Sequence, residues 1–97
     1  LDRFFAAQNI DSTERVKFTL AAYNAGAGHV LDAMRLAEKY GKNPHIWTEN
    51  VDFYIRHKNK PEYYRDTLAK NGYCNGPQTY HYVNRVLEVY SDYKNMK

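Results

Sequence analysis

Apolar residues recur at helical spacing along most of the chain, and no alternating strand pattern of useful length occurs. Residues 1–7 have the pattern of a helix end. A second helix is predicted from an N-cap at Asp11, supported by Glu14 three positions later, to about Tyr23. Its apolar face is predicted to contain Val16, Leu20 and Tyr23, widened by Phe18, Ala21, Ala22 and Ala25.

The rest of the chain continues this pattern. We predict a helix over residues 28–40, stopped by Gly41, which buries Val30, Met34 and Ala37, with Leu31 as a further candidate. Asn43 and Pro44 begin a short turn anchored by Ile46 and Trp47. Three more helices are predicted: one capped by Thr48, one from Pro61 to Asn71-Gly72, and one from Pro77 to about Tyr93.

Two apolar stripes run along this last predicted helix, which suggests that it lies between other helices. One stripe is Val83, Val86, Leu87 and Tyr90, and the other is Tyr82, Val86, Val89 and Tyr93. Only residues 94–97 are predicted to fray. The fold class is therefore all-α, a single domain over 1–97 with about five to six helices and short loops.

A glycine corner separates the second and third predicted helices, where Asn24 and Ala25 are followed by Gly26 and Gly28. Glycine allows a tight turn and leaves the neighbouring surface open. The functional hypothesis is that Tyr23 and Asn24 reach a polar ligand there. The alternative is a plain helix–helix turn preceded by a core tyrosine, and from these residues alone that alternative is the more common structure.

Composition limits the possible partners without choosing one. The chain has 97 residues, 43% of them hydrophobic, a net charge of +3 and no apolar run long enough to span a bilayer. The densest basic cluster, residues 56–60, is explained by a solvated helix end. Mild basicity suits nucleic acid and cell-wall glycan equally well, and ten tyrosines could stack on bases or sugars.

Reactive side chains are few. None of the five glutamates has a sequence context that marks it as a proton donor, so no catalytic residue is assigned within the chain. The histidines lack metal-binding spacing, and no metal or cofactor is expected. His29 is expected to make a hydrogen bond within the fold. Cys74, the single cysteine, is expected to be a partly buried loop thiol.

Two motifs resemble one enzyme family. Ala22-Tyr23-Asn24-Ala25-Gly26 is similar to the Ala-Tyr-Asn-x-Gly motif of the lytic transglycosylases with a goose-type-lysozyme-like fold, the soluble lytic transglycosylase domain. The stretch 28–37, with Gly41, Pro44 and Trp47, resembles the membrane-bound lytic transglycosylase F branch. Residues 76–83 are similar to a Gly-x-Glu-Thr-x-x-Tyr-Val segment, with Gln78 in place of Glu.

This resemblance covers about residues 10–93 and implies both an activity and a site. Family members cleave the bond between N-acetylmuramic acid and N-acetylglucosamine and form a 1,6-anhydromuramyl product. The implied substrate-binding residues are Tyr23, Asn24, Ala25, Gly26 and Tyr82. The implied partner is peptidoglycan in the periplasm or at the outer membrane, with membrane association only through other parts of the parent protein.

The family's catalytic glutamate lies in a Glu-Ser segment upstream of the Ala-Tyr-Asn motif, and that segment is absent from this chain. We therefore expect residues 1–97 to be the carboxy-terminal portion of a transglycosylase catalytic domain, monomeric and inactive alone. The alternative is a non-catalytic, glycan-binding helical module. No recognised motif supports a third hypothesis, nucleic-acid binding, and no nucleic-acid partner is expected.

Overall fold

The computed structural model describes residues 1–96, which form helices joined by turns, with no strand in that range. The all-α prediction is confirmed. The helices are α1 (Asp2–Ala7), α2 (Ser12–Ala25), α3 (Ala27–Lys39), α4 (Asp52–Arg56), α5 (Pro61–Tyr64) and α6 (Gly76–Asn95). An irregular turn, Trp47–Val51, leads into α4. None of the helices described is long and apolar enough to cross a membrane.

The core forms around α2, which packs against α1, α3 and α6. Phe18 is fully buried and contacts Trp47 edge to face, with ring centroids 5.3 Å apart. Phe5, Val30 and Ile55 are also fully buried. Each such side chain stabilises the fold by roughly 1.5–3 kcal/mol relative to an exposed position, so α2 is anchored in a well-buried core.

The predicted core face of α2 was wrong in part. Val16 is 50% exposed and Tyr23 is 75% exposed, whereas Phe18, Ala21 and Ala22 are buried. Small alanines allow α2 to lie close to α3 and α6, and this packing rotates Val16 and Tyr23 outward. The interpretation of Tyr23 as a core tyrosine is therefore excluded.

Helix α3 agrees with its prediction. Val30, Met34 and Ala37 are buried, and Leu31 is half-buried. Gly41 has a φ of 79°, and the amide of Lys42 donates to the Ala37 carbonyl at 2.8 Å. This is the Schellman arrangement, in which a left-handed glycine ends the helix and satisfies its last carbonyl groups.

The predicted N-cap of α2 is confirmed in position but not in its hydrogen bond, and the predicted cap of α4 was wrong. Asp11 occupies the N-cap position of α2 but its side chain makes no capping hydrogen bond, and Glu14 instead accepts the Trp47 amide at 2.8 Å. Thr48 does not cap α4, which starts after Val51. The Glu14 carboxylate ties the 47–51 turn to α2, a long-range contact that a local motif does not reveal.

The predicted helix from Pro61 to Asn71 ends early, at Tyr64. The Asp66 side chain accepts the Leu68 amide at 2.9 Å, and the Asp32 carboxylate accepts the Asn71 amide at 2.8 Å. Carboxylates that bind nearby amides compete with the helical hydrogen bonds. Residues 65–75 therefore form turns that cross the outer face of α3.

Helix α6 is buried only in its first half. Val83 and Thr79 are buried, whereas Val89, Tyr90 and Tyr93 are 55–62% exposed. The prediction that both apolar stripes lie between other helices was therefore wrong for the described chain. The helix also continues to Asn95, beyond the predicted end at Tyr93, and Lys97 of the predicted tail lies outside the described residues.

Candidate functional site

The α2–α3 corner turns within a single residue. Gly26 both ends α2 and begins α3, with φ 101° and ψ 145°. Residues with a Cβ rarely adopt such a positive φ, so the turn depends on glycine. Asn24, in the last turn of α2, is exposed beside it, and Ala25 is half-buried against the core. The corner thus presents Asn24 at the surface on a rigid support.

The side chain of Asn24 is held by α6. The hydroxyl of Thr79, which is only 2% exposed, donates to Asn24 Oδ1 at 2.7 Å. This bond joins the end of α2 to the first turn of α6. The bond to Thr79 uses the amide oxygen of Asn24. The Nδ2 group of this exposed side chain is therefore available as a donor toward solvent.

A hollow of about 490 Å³ lies where these two helices meet. Its wall includes Asn24 from α2 and Tyr82 from α6, together with Gln78, His81, Asn84, Arg85 and Glu88. Sites for small organic ligands have volumes in this range. The structure therefore brings Asn24 and Tyr82, which are distant in sequence, to one concave surface. We call it the Asn24–Tyr82 hollow.

The other predicted site residues occupy different positions. Tyr23 is exposed next to Asn24 but does not line the hollow among the residues described. Ala25 and Gly26 form the turn that supports Asn24 without lining the hollow themselves. A Cβ added at Gly26 would meet nothing within 4 Å, so the surface beside it is open.

A buried polar network lies behind the corner, and the sequence did not predict it. The basic cluster at residues 56–60 was interpreted as solvated, but Lys58 is fully buried. Lys58 Nζ lies 2.8 Å from Asp32 Oδ2, also fully buried, and 2.7 Å from His29 Nδ1. It also donates to the Gly72 carbonyl. A buried ammonium group persists only when it is paired and hydrogen-bonded in this way.

Asp32 is the acceptor at the centre of this network. Its carboxylate also accepts the guanidinium of Arg35 at 2.5 Å and the amide and side-chain nitrogens of Asn71 at 2.8 and 3.1 Å. Burial opposes the charged form, but the hydrogen bonds from Lys58 and Asn71 outweigh it and lower the Asp32 pKa. One signal was available in the sequence, because Asp32 interrupts an otherwise apolar stretch of α3.

His29 makes the internal hydrogen bond that was predicted for it. Burial, followed by the positive charge of Lys58, lowers its pKa, and the neutral ring accepts from that ammonium group. Cys74 is buried in the adjoining loop, and burial raises the pKa of its thiol. Residues 1–96 contain no group of three or more His, Cys, Asp or Glu side chains arranged to hold a metal ion.

The network fixes the corner to the 71–76 loop that leads into α6. Asn71 Nδ2 donates to the Gly28 carbonyl at 2.9 Å. A Cβ at Gly28 would come within 2.7 Å of the Asn71 side chain, and one at Gly76 within 1.8 Å of the Ile55 carbonyl oxygen. These close approaches set the position of α6 relative to α2, and so the shape of the Asn24–Tyr82 hollow.

Several known proteins are similar to this chain, although no protein-family model matches it. The chain is 37% identical over 83 residues to the membrane-bound lytic murein transglycosylase F of Shewanella halifaxensis, covering 86% of this chain and 17% of that protein. The same-named protein of Shewanella woodyi is 38% identical over 82 residues. That of Desulfosudis oleivorans is 37% identical over 87 residues, covering 90% of this chain and 18% of the relative. The chain thus spans less than a fifth of the length of these relatives.

Proposed function

Because this chain is a relative of one segment of the membrane-bound lytic murein transglycosylases F, we propose that it forms part of a peptidoglycan lytic transglycosylase. Within that enzyme, the Asn24–Tyr82 hollow forms one wall of the cleft that binds the glycan strand. The observation that carries this proposal is the meeting of Asn24 and Tyr82, one from each resembling motif, at a single concave surface.

The amide-lined part of the hollow suits a neutral, hydroxyl-rich ligand, and Arg85 and Glu88 add charges of opposite sign to the same wall. Asn24, Gln78 and Asn84 provide amide donors and acceptors without charge. Tyr82, 37% exposed, offers an aromatic ring to the apolar face of a sugar and a hydroxyl for hydrogen bonding. Asn24 Nδ2, left free by the bond to Thr79, is placed to donate to a sugar N-acetyl carbonyl.

Cleavage with 1,6-anhydromuramyl formation needs a carboxylic acid that protonates the glycosidic oxygen. Glu88 is the only carboxylate among the residues that line the hollow, and it is exposed. We therefore propose that the proton donor lies outside residues 1–97, and that this chain contributes binding and orientation only. The site of action is the bacterial cell envelope, in the periplasm or at the outer membrane.

A titration with chitotetraose, followed by amide chemical shifts, tests the binding proposal. We expect saturable shifts at Asn24, Gln78 and Tyr82. Asn24→Ala or Tyr82→Ala should weaken binding about tenfold, the loss of one good hydrogen bond or ring contact. Tyr90→Ala, an exposed tyrosine farther along α6, is the matched control. Binding that survives Asn24→Ala combined with Tyr82→Ala would place the glycan site elsewhere.

The second candidate is a glycan-binding module with no catalytic role in its parent, favoured by the neutral amides that line the hollow. Both candidates predict no turnover by the isolated chain. Incubation with purified sacculi should therefore release no anhydromuropeptides, and clear release would refute the proposal that the acid lies elsewhere. Supplying the remainder of the parent enzyme in trans separates the two, because only the transglycosylase proposal predicts that activity depends on this chain.

A further inference from the structure

A second hollow, of about 360 Å³, lies between α4, the 47–51 turn and the start of α6. The residues of interest on its wall are Lys42, Glu49, Asp52, Phe53, Arg56 and Tyr80. It shares no lining residue with the Asn24–Tyr82 hollow. Tyr80 is two positions from both Gln78 and Tyr82, which is roughly 200° around the helix, so the two hollows open on different sides of α6.

The anionic side of this second hollow consists of two carboxylates that form no ion pair. Glu49 and Asp52 have no ion-pair partner within residues 1–96, and the positive charge of Lys17 acts on Asp52 without an ion-pair contact. Asp52 is half-buried, and burial raises the pKa of its carboxyl group. A ligand ammonium group placed between Glu49 and Asp52 would supply the missing partner.

The cationic side is equally unpaired. Arg15 and Arg35 each bind an aspartate, whereas the Arg56 guanidinium lies over the Tyr80 ring, 4.7 Å from its centroid. Stacking fixes the guanidinium plane and leaves its N–H edge free for a carboxylate. Lys42 is exposed nearby and makes no ion pair within the described chain.

Two further features suggest a built site. The Phe53 ring is 43% exposed and is held edge to face by Tyr54, with centroids 4.9 Å apart. Glu49 has a φ of 64°, a left-handed conformation that non-glycine residues rarely adopt. Such outliers persist where the surrounding structure fixes them, and they cluster at binding sites.

We propose that this hollow binds the zwitterionic end of an amino acid or short peptide. The ligand ammonium lies between Glu49 and Asp52, its carboxylate is held by Arg56 with Lys42 nearby, and its aliphatic part contacts Phe53. The proposal does not depend on glycan binding at the Asn24–Tyr82 hollow. Two sources share this chemistry: free amino acids, and peptides that end in a residue with both charges.

The test is an amide-shift titration of the chain with meso-diaminopimelate. We expect saturable shifts confined to residues 49–56 and Tyr80. Asp52→Asn and Arg56→Gln should each raise the Kd at least about tenfold, because each leaves one ligand charge without a partner. Glu62→Gln on α5 and Arg65→Gln directly after it, which make the same charge changes outside the hollow, should leave the Kd unchanged.

Modified ligands keep the test decisive if a variant folds poorly. The N-acetylated and the amidated forms of diaminopimelate should each bind the unaltered chain more weakly. A tripeptide ending in meso-diaminopimelate that binds as tightly as the free amino acid indicates a peptide source, and binding of the free form alone indicates the amino-acid pool. Absence of saturation at millimolar concentration, or equal binding of the blocked forms, would overturn the proposal.

Discussion

The buried hydroxyl of Thr79 donates a 2.7 Å hydrogen bond to the exposed side chain of Asn24, and so fixes the orientation of an amide at the surface. The two residues come from motifs at opposite ends of the chain. Thr79 itself does not line the hollow. Its role is to position the Asn24 side chain, which does line the hollow. A change at Thr79 should therefore alter ligand affinity as well as stability.

Thr79→Val keeps the volume of the side chain and removes the donor. We expect a loss of about 1–2 kcal/mol in the free energy of unfolding, because the site is buried. We also expect weaker binding of chitotetraose, since the Asn24 amide is free to rotate. Thr79→Ser should restore the affinity. Urea unfolding and amide-shift titration measure the two effects, and unchanged affinity in a folded Thr79→Val variant would show that Asn24 needs no positioning.

The buried pair of Lys58 and Asp32 gives a prediction about stability. Lys58→Met leaves the buried Asp32 carboxylate with only the partly exposed Arg35 as its cation, at a cost of up to about 3–5 kcal/mol. Adding Asp32→Asn should recover part of this loss, because the buried carboxylate charge is then removed. Circular dichroism during urea unfolding measures both. A Lys58→Met variant as stable as the parent would contradict the buried network.

Acidification should destabilise the fold in two separate steps. The His29 pKa is lowered from its ordinary value of 6.5, so the unfolded chain binds a proton that the folded chain resists. Stability is therefore full above about pH 6.5 and falls as the pH drops below it. The Asp32 pKa is also lowered, from 3.8, so a second loss follows below about pH 4.

Variants separate these two steps. His29→Gln should remove the loss that begins below about pH 6.5 and leave the one below about pH 4, because Asp32 is still present. His45→Gln, at an exposed histidine, is the matched control. Urea midpoints measured from pH 8 to 3 provide the comparison. A first step that persists in His29→Gln would mean that another group is responsible.

Alanine substitution should destabilise the fold more at Gly76 than at Gly28. Gly76→Ala places a Cβ 1.8 Å from the Ile55 backbone oxygen, which cannot move away without shifting α4, so we expect the fold to fail. Gly28→Ala meets the Asn71 side chain at 2.7 Å, which can rotate but loses its hydrogen bonds. We expect that change to cost about 1–3 kcal/mol. Thermal unfolding ranks the variants, and equal stability of the two would contradict the packing described.

Sequence patterns predicted what depends on local chemistry. Gly41 stops α3, Gly26 makes the corner, and the all-α class follows from helical spacing alone. Patterns failed where distant groups decide the outcome. Lys58 is buried because its ammonium group pairs with Asp32 and donates to His29. Helix α5 stops at Tyr64, and the Asp66 and Asp32 carboxylates accept the amides of Leu68 and Asn71.

For the candidate site too, the sequence predicted some of the residues and missed others. Motif resemblance selected Asn24 and Tyr82, which share a hollow, but it gave no indication that Tyr23 lies outside it. It assigned no role to Thr79, although this threonine belongs to the Gly-x-Glu-Thr-x-x-Tyr-Val segment, because a motif does not show that its side chain bonds to Asn24 at the end of α2. The second hollow was missed because its charges come from three separate segments of the chain.

The most direct measurement is the set of intermolecular nuclear Overhauser effects between the isotopically labelled chain and bound chitotetraose. If the Asn24–Tyr82 hollow is a wall of a glycan cleft, the N-acetyl methyl protons of the sugar will show contacts to the Tyr82 ring and the Asn24 side-chain amide. Contacts confined to tyrosines away from the hollow, such as Tyr64 and Tyr73, would contradict the proposal.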